Sequence, residues 1–354
     1  MNDLLKFITC GSVDDGKSTL IGHMLYDAKL IFTDQEKALQ LDSKVGSRGG
    51  EIDYSLLLDG LMAEREQGIT IDVAYRYFTT EKRSFIVTDT PGHEEYTRNM
   101  AVGAAFADLA VILVDASQGV MLQTKRHARI CSLMGIRHFV IAVNKMDLVN
   151  YNQERFDKIK KQIRILLAEF ECDSVEIIPV SATEGDNITK YSQSMLWYKG
   201  RPLLQYLEEV KVKQDTGGSD FILPVQRVSR PDHTFRGFQG QIEGGVIRQG
   251  QEICVLPGRE EAKVSKILRG DIQVEEAFAG WAVTLCLDRE IDISRGCVLC
   301  RGELPTVGNL FRAKILWMED SRLVSGKNYL LKLGTKTIPA VVMRILHKKD
   351  ENIL

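Results

Sequence analysis

The sequence predicts a doubly wound α/β domain on a mostly parallel sheet, followed by a β-barrel domain and a partial second β-barrel. Three observations carry that expectation. Up to about residue 209, short β-branched runs alternate with helical stretches, the rhythm of β-α-β units. The runs are apolar nearly throughout, as strands buried on both faces of a parallel sheet are. After a polar segment ending in Gly217-Gly218-Ser219, the pattern changes to short strands broken by glycines, which is how small barrels read.

Residues 4–10 make the first strand, which runs into Gly11-Ser12-Val13-Asp14-Asp15-Gly16-Lys17-Ser18, and a helix opens at Lys17. A longer alternating strand spans 72–78. Strands at 84–88, 109–114, 139–143 and 175–180 follow, with helices such as 122–134 and 153–170 between them. These elements form a first domain, residues 1–209, whose ligands are expected at the carboxyl ends of the strands. Residues 210–219 read as a linker. Residues 220–304 form the barrel domain, with Gly240, Gly244, Gly245 and Gly250 punctuating one of its hairpins. Residues 305–354 read as strands at 311–316, 329–333 and 338–345. That is too little for a closed barrel, so the chain is expected to end partway through a third domain.

Of the 354 residues, 44% are hydrophobic and 27% charged, a globular composition. Forty-six basic residues against 48 acidic ones give a net charge of −2, which offers nucleic acid no global attraction and leaves only a local basic face open. No apolar run approaches the roughly 20 residues that span a bilayer. The N-terminus enters a strand directly, without the pattern of a signal peptide. Both point to a cytoplasmic protein with no membrane association. Seven scattered cysteines fit a reducing compartment. Cys297 and Cys300 have metal or redox spacing, but zinc needs four ligands and no second pair or nearby histidine is evident, so a structural role is expected.

The segment from Gly11 to Ser18 has the glycine, lysine and serine spacing of a phosphate-cradling loop. Gly11 and Gly16 let the amides of Ser12, Val13, Asp14 and Asp15 turn inward around a phosphate, and the helix at Lys17, Ser18 and Thr19 points its positive end at the same charge. Lys17 reaches the β- and γ-phosphates; the Ser18 hydroxyl suits Mg²⁺. An isolated match also fits a kinase, but this one lies after a strand and before a helix. Asp89, at the end of an apolar strand in Asp89-Thr90-Pro91-Gly92, suits a contact to Mg²⁺ through water, with the Gly92 amide placed to sense the γ-phosphate. A strand-end cap with a Pro-Gly turn is the plainer alternative.

Asn144-Lys145-Met146-Asp147 follows the strand 139–143. A carboxylate at Asp147 accepts from N1–H and the exocyclic amine of guanine, whereas adenine presents the wrong groups and is rejected. Lys145 covers the base with its aliphatic stem, Asn144 ties neighbouring loops together, and Ser181-Ala182 offers a backbone donor to the guanine oxygen. In this order the four segments predict a protein that binds and hydrolyses GTP. His93, next to the expected γ-phosphate sensor, is read as the group that orients the attacking water, because phosphoryl transfer needs mainly positioning and charge stabilisation. Thr70 precedes the strand at 72–78; it is either an ordinary β-former or the switch threonine that meets Mg²⁺ only in the triphosphate state. The remaining histidines, His23, His127, His138, His233 and His347, fall in no constellation and are expected to be structural.

With these motifs in place, the chain resembles the translation-factor superfamily of GTPases, through the phosphate loop, Arg65-Glu66-Gln67-Gly68-Ile69-Thr70 and Asp89-Thr90-Pro91-Gly92-His93. Within it the chain looks most like the regulatory GTPase subunit of two-subunit bacterial ATP sulfurylase. The stretches at 59–78 and 89–100 carry that likeness, as do Arg230-Pro231-Asp232-His233-Thr234-Phe235-Arg236-Gly237-Phe238 and Asp292-Ile293-Ser294-Arg295-Gly296. The resemblance implies that GTP hydrolysis here drives the uphill synthesis of adenosine 5′-phosphosulfate by a partner adenylyltransferase subunit that holds ATP and sulfate. It also places Val13 and Ile69 at an apolar gate flanking His93. Two departures stand out: Cys297 sits where related chains often carry an acidic residue, and the resemblance implies a complete third domain, of which residues 305–354 are expected to be only a part. No second phosphate loop is present, so no adenylylsulfate kinase activity is expected. The alternative reading is an elongation factor that delivers aminoacyl-tRNA.

Overall fold

Strands made wholly of aliphatic and β-branched side chains have no face to give to water, so they belong in the middle of a covered sheet. In the computed structural model they lie there, in a six-stranded sheet. The structure describes residues 4–27, 73–212, 220–232, 235–319 and 321–348. It falls into two compact units that divide after Val212, inside the stretch read as a linker.

The first unit runs β1 (Leu4–Cys10), α1 (Lys17–Asp27), β2 (Ala74–Thr79), β3 (Ser84–Asp89), α2 (Thr97–Ala104), β4 (Leu109–Asp115), α3 (Leu122–Leu133), β5 (His138–Asn144), α4 (Gln153–Leu167), β6 (Ser174–Pro179) and α5 (Leu203–Glu209). The strand order is β2-β3-β1-β4-β5-β6. All pairings are parallel except that of β2, which runs antiparallel to β3 at the edge. Every residue of β4 and β5 is buried. Phe78 and Phe85 stack with centroids 4.7 Å apart, and Phe7 meets Phe85 edge-on at 6.2 Å, closing the β1–β3 end of the core. α4 buries Phe156, Ile159, Ile163, Leu166 and Leu167, a three-and-four spacing that makes one apolar stripe. Asn152 caps it by accepting the Arg155 amide at 2.8 Å, worth about 1 kcal/mol. α4 ends at Leu167 rather than 170, because the last turn tightens and Phe170 N–H bonds Leu167 O at 3.1 Å.

The second unit contains β7 (Phe221–Pro224), β8 (Arg227–Ser229), β9 (Gly237–Gln241), β10 (Val246–Arg248), β11 (Glu252–Leu256), β12 (Glu260–Arg269), β13 (Ile272–Val274), β14 (Glu276–Phe278), β15 (Ala282–Leu287), β16 (Val298–Arg301), β17 (Asn328–Leu333) and β18 (Lys336–Val341). Its main sheet has the order β7-β16-β11-β12-β15-β9-β8 and is antiparallel throughout. The sheet curls until β7 meets β9. Ile222 N–H bonds Gly244 O at 3.1 Å and Gln226 N–H bonds Gln239 O at 2.8 Å. A side chain at Gly240 would put its Cβ 2.4 Å from Pro224 O, so the closure requires glycine. Phe221, Leu223, Phe238, Ile253, Val264, Leu285 and Leu299 fill the barrel.

Two expectations fail here. Residues 311–316 are not a strand: Phe311 and Ile315 are 63% and 60% exposed and pair with no strand among the described residues. The strand read at 338–345 stops at Val341 and, among the described residues, pairs with β17 alone. Alternating side chains supply the propensity, but a strand needs a neighbour to bond. Cys300 is buried and its thiol donates to Cys254 O at 3.3 Å, the structural role expected of it. Among the described residues, no group of three His, Cys, Asp or Glu could hold a metal ion. No described helix is long and apolar enough to cross a membrane.

Candidate nucleotide site

β1 runs between β3 and β4 and delivers Gly11 to the carboxyl rim of the sheet. The loop then turns through Asp14 at φ +64° and Gly16 at φ +86°, values that aim successive amides inward. A Cβ at Gly16 would lie 2.5 Å from Asn144 Nδ2. The Asp15 carboxylate accepts Ser12 N–H at 2.6 Å inside the loop. Burial pushes its carboxyl up to about 6, against the pull of that amide and of Lys17. Lys17 Nζ donates to Gly11 O at 3.1 Å and Ser12 O at 2.8 Å. Burial lowers the Lys17 pKa, with the charge of Asp89 the largest influence opposing it. A buried ammonium at the start of α1 is a strong attractor for phosphate. Ser18 and Thr19, half-buried, occupy the first turn of that helix.

Asp89 closes β3 in register with Thr9 and accepts the Thr9 hydroxyl at 3.0 Å. The Thr90 hydroxyl donates to Thr9 O at 2.7 Å. These bonds lay Gly92 directly on the phosphate loop, where a Cβ would stand 2.5 Å from Lys17 Nζ and 2.6 Å from Gly11 O. His93 comes next with its side chain 44% exposed, and its Nδ1 accepts Glu95 N–H at 3.3 Å. In the neutral ring the proton therefore sits on Nε2. Gln123 of α3 donates to Gly92 O at 3.4 Å and meets His127 Nε2 at 3.1 Å. His127 is fully buried, and burial, then the charges of Lys17 and Arg126, push it down to about 3. Val13 is half-buried in the loop; Thr70 and Ile69 lie outside the described residues.

The base-side loops are joined by side chains. Asn144 Nδ2 donates to Asp15 O at 2.8 Å, while its Oδ1 accepts the Ala182 amide at 2.9 Å. One buried amide thus links the phosphate loop to the loop after β6. Asp147 Oδ1 accepts the Ser181 hydroxyl at 2.6 Å, which fixes the carboxylate. Lys145 sits at φ +61°, uncommon for a residue with a side chain, and its ammonium meets Asp115 Oδ2 at 2.8 Å. Burial raises the Asp115 carboxyl, but the bonds from Lys145 and Ser117 outweigh it and hold it below the usual range.

The structure therefore brings Gly11, Ser12, Val13, Asp14, Asp15, Gly16, Lys17, Ser18, Asp89, Gly92, His93, Asn144, Lys145, Asp147, Ser181 and Ala182 to one rim of one sheet. Sequence reasoning missed three contributors: Asp115, which anchors Lys145; Gln123, which holds Gly92; and Asp15 as an acceptor within its own loop. Only Asp115 left a signal, as an acidic residue ending an apolar strand.

Residues 2–213 match the family described as Elongation factor Tu GTP binding domain. Sulfate adenylyltransferase subunit 1 of Aliivibrio salmonicida is 50% identical over 355 residues, covering 99% of this chain and 74% of that one. The Bifunctional enzyme CysN/CysC of Xylella fastidiosa is 54% identical over 351 residues, again 99% of this chain. The chain spans just over half that relative's length, 56%. Among solved structures, the Ski7 GTPase-like domain of S. cerevisiae, bound to GTP, aligns with a TM-score of 0.57 at 18% identity, covering 99% of this chain and 87% of that one. That likeness concerns the fold. The chain belongs to the elongation factor Tu type of GTP-binding domain family and, within it, to the sulfate adenylyltransferase subunit 1 proteins.

Proposed function

We propose that the chain binds GTP with Mg²⁺ at this rim and hydrolyses it, and that hydrolysis drives formation of adenosine 5′-phosphosulfate from ATP and sulfate on a partner subunit. The observation that carries the nucleotide reading is the Asn144 side chain, bonded at once to Asp15 O and the Ala182 amide, because it sets phosphate and base loops at a fixed separation. Asp147, held by Ser181, presents its second carboxylate oxygen to the N1–H and amino edge that only guanine offers. The Ala182 amide is shared between Asn144 and the guanine oxygen. Lys145, pinned at its tip by Asp115, lays its aliphatic stem over the base.

The donor set near the phosphates suits magnesium: a serine hydroxyl at the head of α1 and a buried carboxylate at the end of β3 are hard oxygen ligands. Ser18 and Asp89 would hold the ion, joined by Thr70, and when bound it neutralises charge on the β- and γ-phosphate oxygens. The chain's own groups do the rest. Lys17 binds the phosphates, Gly92 reports the γ-phosphate through its amide, and His93 orients the attacking water, with Val13 and Ile69 gating its approach.

The partnership rests on the relatives named sulfate adenylyltransferase subunit 1, of which the chain covers 74% and 75%. GTP hydrolysis measured with the co-purified partner subunit, ATP and sulfate tests it against hydrolysis with ribosomes and charged tRNA. Stimulation in the first mixture is expected; stimulation by ribosomes alone would contradict the reading.

A further inference from the structure

His23 lies on α1, six residues past the phosphate-binding lysine, in a chain position that sequence reasoning left structural. It is buried, and its Nδ1 stands 2.8 Å from the carbonyl oxygen of Ala182, 159 residues away. A carbonyl only accepts, so Nδ1 carries the proton. The other edge of the ring is covered as well: Gly185, at φ +80°, lies flat on it, and a Cβ there would come 2.5 Å from His23 Nε2 and 2.8 Å from Cε1. One turn further along α1, Asp27 accepts the Thr189 hydroxyl at 2.5 Å and faces Lys190 Nζ at 3.4 Å. The loop after β6 is thus fastened to α1 at Ala182, at Gly185 and at Thr189–Lys190.

We propose that His23 is a positioning residue for guanine recognition, a latch that ties the base-reading loop to the helix that carries the phosphate-binding Lys17 and Ser18. It rests on the guanine reading above. The Ala182 carbonyl and the Ala182 amide flank one residue, so fixing the first aims the second, the donor to the guanine oxygen. The latch also makes the two ends of the nucleotide release together: the loop cannot swing from the base without breaking a bond to α1. Burial lowers the His23 pKa, which keeps the ring neutral near neutral pH. An asparagine at this position carries its amide nitrogen the same number of bonds from Cβ, so it can replace Nδ1, whereas leucine fills the space without a donor.

The test is the release rate of fluorescent-labelled guanosine diphosphate from the full chain. His23→Leu is expected to release it about tenfold faster, the cost of stranding a buried carbonyl. Gly185→Ala, whose methyl displaces the ring without altering α1, is expected to do the same and keeps the test open if His23→Leu does not fold. His23→Asn is expected to retain the wild-type rate. Wild-type release from both His23→Leu and Gly185→Ala overturns the latch, as does an asparagine variant as fast as the leucine one. A wild-type chain that holds no guanosine diphosphate removes the guanine reading and the latch with it, an outcome distinct from tight wild-type binding with unchanged variants.

Discussion

The two ends of the candidate site are built differently. At the base end, side chains join five separate segments: Asn144 bonds the backbone of Asp15 and of Ala182, Ser181 bonds Asp147, Lys145 bonds Asp115, and His23 bonds the Ala182 carbonyl. At the hydrolytic end, Gly92 rests on the phosphate loop, but the His93 side chain is 44% exposed; among the described residues it accepts the Glu95 amide at 3.3 Å, stands 3.9 Å from the Glu95 carboxylate and lies 6.1 Å from the Tyr96 ring. On the proposed reading, the difference is that the side chains meant to read the base are already bonded in place, whereas the imidazole meant to orient the water is held less firmly. Rigid donors cost nothing to reorganise when the ligand arrives, whereas a loosely held imidazole leaves turnover slow until something positions it.

The largest expected effect breaks the comparison at its open end. His93→Ala should cut GTP turnover by roughly 100-fold or more, within the range for a lost positioning or acid–base group, while GTP affinity stays within about threefold. Single-turnover hydrolysis and a binding isotherm separate the two; unchanged turnover would remove His93 from its role. Next comes the closed end. Asn144→Ala strands the Asp15 carbonyl and the Ala182 amide together, and GTP affinity should fall by about 10- to 100-fold with little change in turnover at saturation. A loss confined to turnover would mean that Asn144 serves catalysis instead of recognition.

The smallest effect is a pH dependence that sharpens the contrast. Asp15 has its carboxyl raised from 3.8 to about 6, so the folded chain binds more protons than the unfolded one between those values, and its contribution to stability falls as pH rises through that window. His127 is lowered from 6.5 to about 3, so its contribution is complete above 6.5 and is lost as pH falls toward 3. The two oppose each other between about pH 4 and 6. Asp15→Asn should uncover the His127 slope, approaching about 1.4 kcal/mol per pH unit in chemical denaturation, and His127→Gln should reverse its sign. Parallel profiles for the two variants would contradict both assignments.

Much of this was legible in the sequence because the buried strands are monotonous and the motifs are local. β4 and β5 announce themselves by apolar runs, and the loops after β1, β3, β5 and β6 leave the same rim of the sheet, while the segment with Thr70 lies outside the described residues. What failed or stayed hidden depends on partners distant in sequence. Phe311 and Ile315 alternate like a strand, yet no strand among the described residues pairs with them. His23 gives no signal at all, because its meaning lies in a carbonyl 159 residues away. Gln123 is likewise an ordinary helix residue until the fold sets it 3.4 Å from Gly92 O.

The central claim is that these loops converge on a guanosine nucleotide with Asp147 selecting the base. Calorimetric titration of the wild-type chain and of Asp147→Asn with GTP and with ATP tests it directly. The account predicts that the wild type prefers GTP by about a thousandfold or more, as a carboxylate left facing the wrong edge of adenine demands, and that the variant loses most of that preference. Equal affinity for the two nucleotides in the wild type, or an undiminished preference in Asp147→Asn, would contradict it.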